Sequence, residues 1–193
     1  MPLIYFVRHG QTDYNVEKRL QGTISEVPIN ATGRSQAWRN GGVLNELIAG
    51  KDRFDFVASP LVRARQTMDI VRRAMGLPED GYRTDDRLKE ISFGAWGGFT
   101  WPEIAAREPE AYARRQTDRW NVAPPEGQSF REFYAQVVDW IATVTADTVV
   151  VAHGGTSRCL RGHFLKLAPE EILSLDVPQD KVLMIEGGTL SWL

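Results

Sequence analysis

The sequence predicts an α/β fold built on a mostly parallel sheet. Short β-rich runs alternate along the chain with longer stretches of helical periodicity, the order expected of βαβ units. The longest apolar runs, Leu3 to Val7 and Val149 to Ala152, are far too short to cross a bilayer and read as buried strands. With 193 residues, 42% of them apolar and 25% charged, the chain can bury a sizeable core, which argues against disordered, collagen-like and disulfide-scaffold classes. Residues 1–193 are expected to form a single domain.

The first strand is Leu3 to Val7. An Asn/Thr start signal then opens a helix over Thr32 to Ile48, with Ala37, Leu44, Leu47 and Ile48 at helical spacing, weakened by the Gly41-Gly42 pair. Phe54 to Ala58 reads as the second strand. Ser59 followed by Pro60 suggests a cap with proline at the first helical position, ahead of an amphipathic helix from Leu61 to Met75 that stops at Gly76. A loop with Pro78 and Gly81 follows. Leu88 to Trp120 breaks the alternation and gathers Trp96, Trp101 and Trp120 with Phe93, Phe99 and Tyr112, which suggests a small helical excursion beside the sheet. Ser129 to Val144 is a clean amphipathic helix, Thr148 to Ala152 a buried strand, and Ser157 to Leu167 a further helix. Val182 to Ile185 and Leu190 to Leu193 form a terminal hairpin turning at Gly187-Gly188.

The charge balance excludes some partners. Lys and Arg number 23 against 25 Asp and Glu, for a net charge of −2, so no global positive field exists to hold a nucleic-acid backbone. Any anion site must be local. A lone Cys159 cannot form an internal disulfide, and the start of the chain lacks a basic segment followed by a long apolar one. The expected location is therefore the cytoplasm, with no membrane association.

Two strands end in a histidine beside a glycine, at His9-Gly10 and His153-Gly154. In open α/β sheets ligands bind beyond the carboxyl ends of the strands, so both histidines fall where a site is expected. After the second strand, Arg63 lies in the first turn of a helix whose free N–H groups already favour an anion. Arg65 points elsewhere and reads as a solvated residue. Arg8, Arg63 and a protonated histidine would together suit a phosphoryl dianion, each guanidinium fork bonding its oxygens in pairs.

These residues carry a family resemblance. Phe6-Val7-Arg8-His9-Gly10-Gln11-Thr12-Asp13-Tyr14-Asn15 resembles the Arg-His-Gly signature of the histidine phosphatase superfamily, which contains phosphoglycerate mutases and many small-molecule phosphatases. Four further segments resemble that family in the expected order: Pro28 to Ala37, Ser59 to Thr67, Leu88 to Trp96 and Val151 to Gly155. One Arg-His-Gly is a weak signal; five ordered segments over most of the chain are specific. The resemblance implies a three-layer α/β/α sandwich and assigns His9 as nucleophile, Arg8, Arg63 and His153 as phosphate ligands and Glu90 as proton donor. It favours Asn15 over Thr12 as a further phosphate contact, and places Gly154 beside the phosphate. Gln21, Gly22 and Thr23 follow the Asn15 loop and are expected to border the site. Two departures concern substrate contacts: Trp96-Gly97-Gly98 stands where the family often has Trp-Glu-Gly, and Gly127-Gln128-Ser129 where it often has Gly-Glu-Ser.

The expected activity is metal-independent hydrolysis of a small phosphorylated metabolite through a phosphohistidine at His9, with no cofactor. Surrounding cations would keep His9 neutral for attack, while His153 stays protonated if it faces the dianion. The alternatives are a phosphoglycerate-type mutase and a weakly catalytic phosphate-binding regulatory module. A compact chain and the Gly97-Gly98 pair, read as an open and adaptable entrance, favour water as the acceptor. Self-association into a homodimer is left open. Competing chemistries lack their residues: position 165, where a cysteine phosphatase needs arginine, is Leu165, and no metal-binding His or Cys spacing, dinucleotide fingerprint or Walker loop occurs. Gly155 to Cys159 makes only a broken serine-hydrolase elbow. Arg107, Arg114, Arg115 and Arg119 are expected to form a solvated helix face, from which one could reach the non-reacting end of an acidic substrate.

Overall fold

The computed structural model describes residues 2–48, 50 and 53–193. Strands β1 (Ile4–Arg8), β2 (Asp55–Ala58), β3 (Arg83–Thr84), β4 (Thr148–Ala152), β5 (Val182–Glu186) and β6 (Thr189–Trp192) form one sheet in the order β3-β2-β4-β1-β5-β6. The first four are mutually parallel; β5 and β6 run antiparallel as a hairpin. The turn between those two uses Gly187 and Gly188, both with positive φ (56° and 87°), a conformation that glycine adopts without steric cost.

Alternation along the strands divides the core into two faces. Tyr5, Val7, Phe56, Ala58, Val149 and Val151 pack against Leu44, Met68 and Val71, from the helices α2 (Ala31–Leu47) and α3 (Val62–Ala74). Ile4, Phe6, Val57, Val150 and Ala152 pack against Trp140 and Leu160, from α6 (Phe130–Ile141) and α7 (Gly154–Leu165). The result is a three-layer α/β/α sandwich. Beside it, α4 (Trp101–Arg107) and α5 (Pro109–Thr117) form the excursion, and α8 (Pro169–Ser174) follows α7. A third apolar cluster, of Ile91, Phe130, Phe133, Val137, Cys159 and Ile172, lies below the excursion.

Adjacent strands β1 and β4 send their chains to opposite faces, β1 towards α2 and β4 towards α7, which opens a crevice at their carboxyl ends. A short helix, α1 (Asp13–Val16), lies just past the end of β1; its capping box is made by Thr12 and Asn15.

Several elements differ from expectation for visible reasons. The Gly41-Gly42 pair does not break α2, because a side chain at 41 would collide with Val71 and Ala74: the glycine lets α2 and α3 approach. The Pro78–Gly81 loop leads into the short edge strand β3. Helix α3 starts at Val62 with Leu61 at its N-cap, not at Leu61 behind a Ser59 cap. Ser59 instead donates its N–H to Val151 O at 2.9 Å, continuing the ladder one residue beyond β2.

Candidate active site

Strand register brings the two histidines together. Arg8 pairs with Ala152 across β1 and β4, so His9 and His153 leave the sheet side by side, with ring centroids 5.2 Å apart. The His9 N–H extends that ladder to Ala152 O at 2.9 Å. His9 Nδ1 lies 2.8 Å from Gly10 O. A carbonyl only accepts, so Nδ1 carries the proton and Nε2 keeps its lone pair. Burial, with Arg63 and Arg8 adding to it, holds the His9 imidazole well below its ordinary pKa, against the opposing pull of the Gly10 bond.

His153 caps the start of α7 and is fully buried, with Nε2 2.7 Å from Ser59 Oγ and no protein partner at Nδ1. Burial lowers its pKa well below the ordinary value, helped by Arg63, His9 and Arg8. The protein's own groups therefore favour a neutral ring, and the protonated form expected for His153 needs an anion to supply it.

Arg63 is fully buried: Nη1 donates to Ile24 O at 2.7 Å and Nη2 to Gly22 O at 2.6 Å, leaving Nε without a partner. Arg8 donates through Nη1 to Val177 O and also leaves a buried Nε unpartnered. Burial lowers both guanidiniums to about 10, with Glu90 opposing the shift, so they stay cationic at neutral pH. Two buried cationic donors without acceptors form a place for an anion. Glu90 faces them, Oε1 accepting from Ile91 N at 3.0 Å and Oε2 from Gly155 N at 3.1 Å. Position 155 is glycine because any side chain there would overlap Glu90 and Phe133.

Asn15 Oδ1 accepts from Thr12 N (3.1 Å), Thr12 Oγ1 (3.2 Å) and Gln179 Nε2 (3.2 Å), which leaves the amide N–H₂ as its free end. Arg8, His9, Asn15, Gln21, Gly22, Arg63 and Glu90 line one cavity of about 140 Å³, with Arg19, Leu20 and Phe93. Gly22 serves through its carbonyl to Arg63, and Gln21 Oε1 is buried without a partner. Gly154 lies behind, where a Cβ would stand 3.4 Å from Arg8 Nε. Thr23 is exposed and outside the lining. Two larger surface depressions, over residues 116–174 and 60–84, contain neither histidine.

Two expectations are corrected. Gly97 and Gly98 do not form an open entrance: Gly98 N donates to Leu20 O (2.8 Å), Leu20 N to Phe99 O (2.9 Å), and Arg19 Nη1 to Gly98 O (2.9 Å) and Glu103 (3.1 Å). Backbone pairing holds this segment against the Asn15 loop. Arg107, Arg114 and Arg119 are exposed, but Arg115 is buried, because it shares the face of α5 with Tyr112, three residues earlier, and that face packs on Trp101.

Three contributors escaped sequence reasoning. Ser59, at a position with the sequence signal of a helix cap, instead sets its Oγ 2.7 Å from His153 Nε2. Thr67 accepts from Gly10 N (3.0 Å) and donates to Arg63 O (2.7 Å), linking the His9 loop to the Arg63 helix. Gln179 Nε2 donates to His9 O at 2.9 Å and to Asn15, from 170 residues away. Thr67 stands in a recognised segment and could have been flagged there; Gln179 carried no local signal.

The sheet thus carries a histidine pair and two arginines at its switch point, where α/β folds bind their ligands. Residues 4–191 match the model of the histidine phosphatase superfamily, branch 1, and the chain belongs to that family. It is 34% identical over 178 residues to a glucosyl-3-phosphoglycerate phosphatase of Mycobacterium tuberculosis, covering 85% of this chain and 75% of the relative. It is 29% identical over 185 residues to 2,3-bisphosphoglycerate-dependent phosphoglycerate mutase 2 of Gloeobacter violaceus, covering 92% and 82%. Some relatives are longer, and the chain spans 44% of a bifunctional M. tuberculosis protein. In fold it resembles the crystal structure of a putative α-ribazole-5′-P phosphatase from Escherichia coli, with a TM-score of 0.84, 23% identity and coverage of 100% and 94%. No helix among the described residues is long and apolar enough to cross a membrane.

Proposed function

We propose that the protein is a phosphatase that hydrolyses a small phosphomonoester, with His9 as the nucleophile. The observation that carries this reading is the state of His9: Nδ1 is committed to Gly10 O, and burial together with the Arg63 and Arg8 guanidiniums favours the neutral ring. Nε2 attacks phosphorus and the bond to the ester oxygen breaks, while Glu90 delivers a proton to the departing alkoxide. Water then attacks the phosphohistidine, Glu90 takes up its proton, the P–N bond breaks and inorganic phosphate leaves. Arg8 and Arg63 supply positive charge and N–H donors to the non-bridging oxygens throughout, joined by the Asn15 amide. The dianion draws His153 towards its protonated form.

This reading gives charge neutralisation to arginines and histidine, so activity survives exhaustive chelation; loss on chelation with recovery on adding one metal would overturn that. We place it in the cytoplasm with a phosphorylated metabolite as its partner and no nucleic acid, since a net charge of −2 offers no global positive field. The M. tuberculosis relative supports water as acceptor; the Gloeobacter relative keeps a mutase as the second reading. One experiment separates them. Wild-type protein is loaded with labelled phosphate and offered hydroxy acids, while His9→Ala is carried in parallel. Acid-labile label in the wild type only, released chiefly as inorganic phosphate, is the expected outcome. Transfer mainly to phosphoglycerate makes the protein a mutase, and undiminished hydrolysis by His9→Ala rejects the nucleophile.

A further inference from the structure

A second cavity, of about 260 Å³, adjoins the histidine cavity and shares Leu20, Glu90 and Phe93 with it. Its charged lining sets one carboxylate, Glu90, against three guanidiniums, Arg115, Arg119 and Arg158. Arg115 is 3% exposed, and its Nε and Nη1 find no acceptor. It forms no ion pair among the described residues, and its Cζ stands 5.4 Å from the centroid of the Trp101 ring. Burial, reinforced by Arg119, lowers Arg115 to about 10, which still leaves it charged at neutral pH. A buried cation with unmet donors is costly unless something supplies the acceptor.

Arg158 reaches the same cavity from another element, α7, with its guanidinium plane fixed by an Nε bond to Leu175 O at 2.8 Å. The remaining walls are apolar: the rings of Phe93, Trp101 and Phe130, with Leu20, Ile91 and Leu173. A 150 Å³ apolar cavity holds benzene, so this one takes a body of roughly ten non-hydrogen atoms.

We infer that this cavity receives the leaving group, and that the preferred leaving group carries a second anionic group, met by Arg115 and Arg158, on a body with an apolar face. The inference rests on the phosphatase reading, because Glu90 lines both cavities and marks where the bridging oxygen lies. A carboxylate and a second phosphoryl group share the chemistry the two arginines recognise.

The test compares three aryl phosphates of similar leaving-group acidity, bearing a para-carboxymethyl, para-phosphonomethyl or para-hydroxyethyl group. In the wild type, kcat/KM for the anionic compounds should exceed that for the neutral one by about ten- to a hundred-fold, mostly through KM. The two anionic arms separate carboxylate from phosphoryl preference. Arg115→Met or Arg158→Met should reduce the ratio by about ten-fold or more. A ratio taken within one preparation does not depend on how much of it folds, and Arg158 is only half-buried, so one variant survives if the other folds poorly. A wild-type ratio near unity, or a ratio unchanged in both variants, overturns the proposal. Absence of any hydrolysis would instead count against the phosphatase reading, and the cavity is then read by calorimetry with the matching arylphosphonates. Tighter binding of the carboxymethyl compound, weakened in the variants, supports the cavity; equal binding overturns it.

Discussion

Thr67→Val removes one hydroxyl and keeps the side-chain shape. That hydroxyl is fully buried and is the acceptor for Gly10 N at 3.0 Å, while donating to Arg63 O at 2.7 Å. Arg63 O loses little, since a carbonyl within a helix keeps its intrahelical donor. Gly10 N–H is left buried without an acceptor, at a cost of about 1–3 kcal/mol. For a chain of this length each kcal/mol lowers Tm by about 2–4 °C, so a drop of about 4–8 °C is expected for a mid-range cost. The same change frees the loop that orients His9, and kcat/KM should fall by about ten- to a hundred-fold. Thr67→Ser is the control. It keeps the hydroxyl and loses a core methyl, costing about 1 kcal/mol, and kcat/KM should stay within about three-fold of the wild type. Calorimetric Tm and kcat/KM on a small phosphomonoester measure both. Indistinguishable Val and Ser variants would refute the reasoning, because the hydroxyl would then have no part in holding the loop.

Glu90→Gln should slow alkyl phosphates far more than aryl phosphates, whose leaving groups need no proton; equal losses would remove Glu90 from the acid role. Gln179→Met should lower kcat/KM by about ten-fold through the freed Asn15 amide and His9 carbonyl, with inorganic phosphate inhibiting less strongly; unchanged inhibition would argue that Thr12 alone fixes Asn15. Stability should fall on acidification. His9 and His153 have depressed pKa values in the fold, so below the ordinary histidine pKa the unfolded chain takes up protons that the folded one does not. Their combined contribution, fully present above that value, is lost progressively as the pH falls below it while the folded rings stay neutral. A His9→Asn, His153→Asn double variant should flatten that part of the urea-unfolding profile, and an unflattened profile would place the proton uptake elsewhere.

The sequence by itself determined the order of elements and where the chemistry sits along the chain. Apolar runs and helical periodicity are local signals, so the short β-branched run ending at Ala152 read as a buried strand and Ser129 to Val144 as an amphipathic helix, observed over Phe130–Ile141. Four of the five family segments carried Arg8 and His9, Arg63, Glu90 and His153, and the fold brings Arg8, His9, Arg63 and Glu90 to one cavity, with the His153 ring 5.2 Å from that of His9. What the tertiary structure decided is which groups face one another, a matter of strand register and of contacts between residues far apart in sequence. Ser59 looked like a helix cap from its neighbours, but the β2–β4 ladder carries it to His153. Gly97 and Gly98 looked like a loose loop, but Leu20 pairs with their segment across some 80 residues. Arg115 belonged to a charged stretch that local composition assigns to solvent. Its burial follows from the docking of α5 on Trp101, and helical periodicity says which residues share a face without saying which face the rest of the molecule covers.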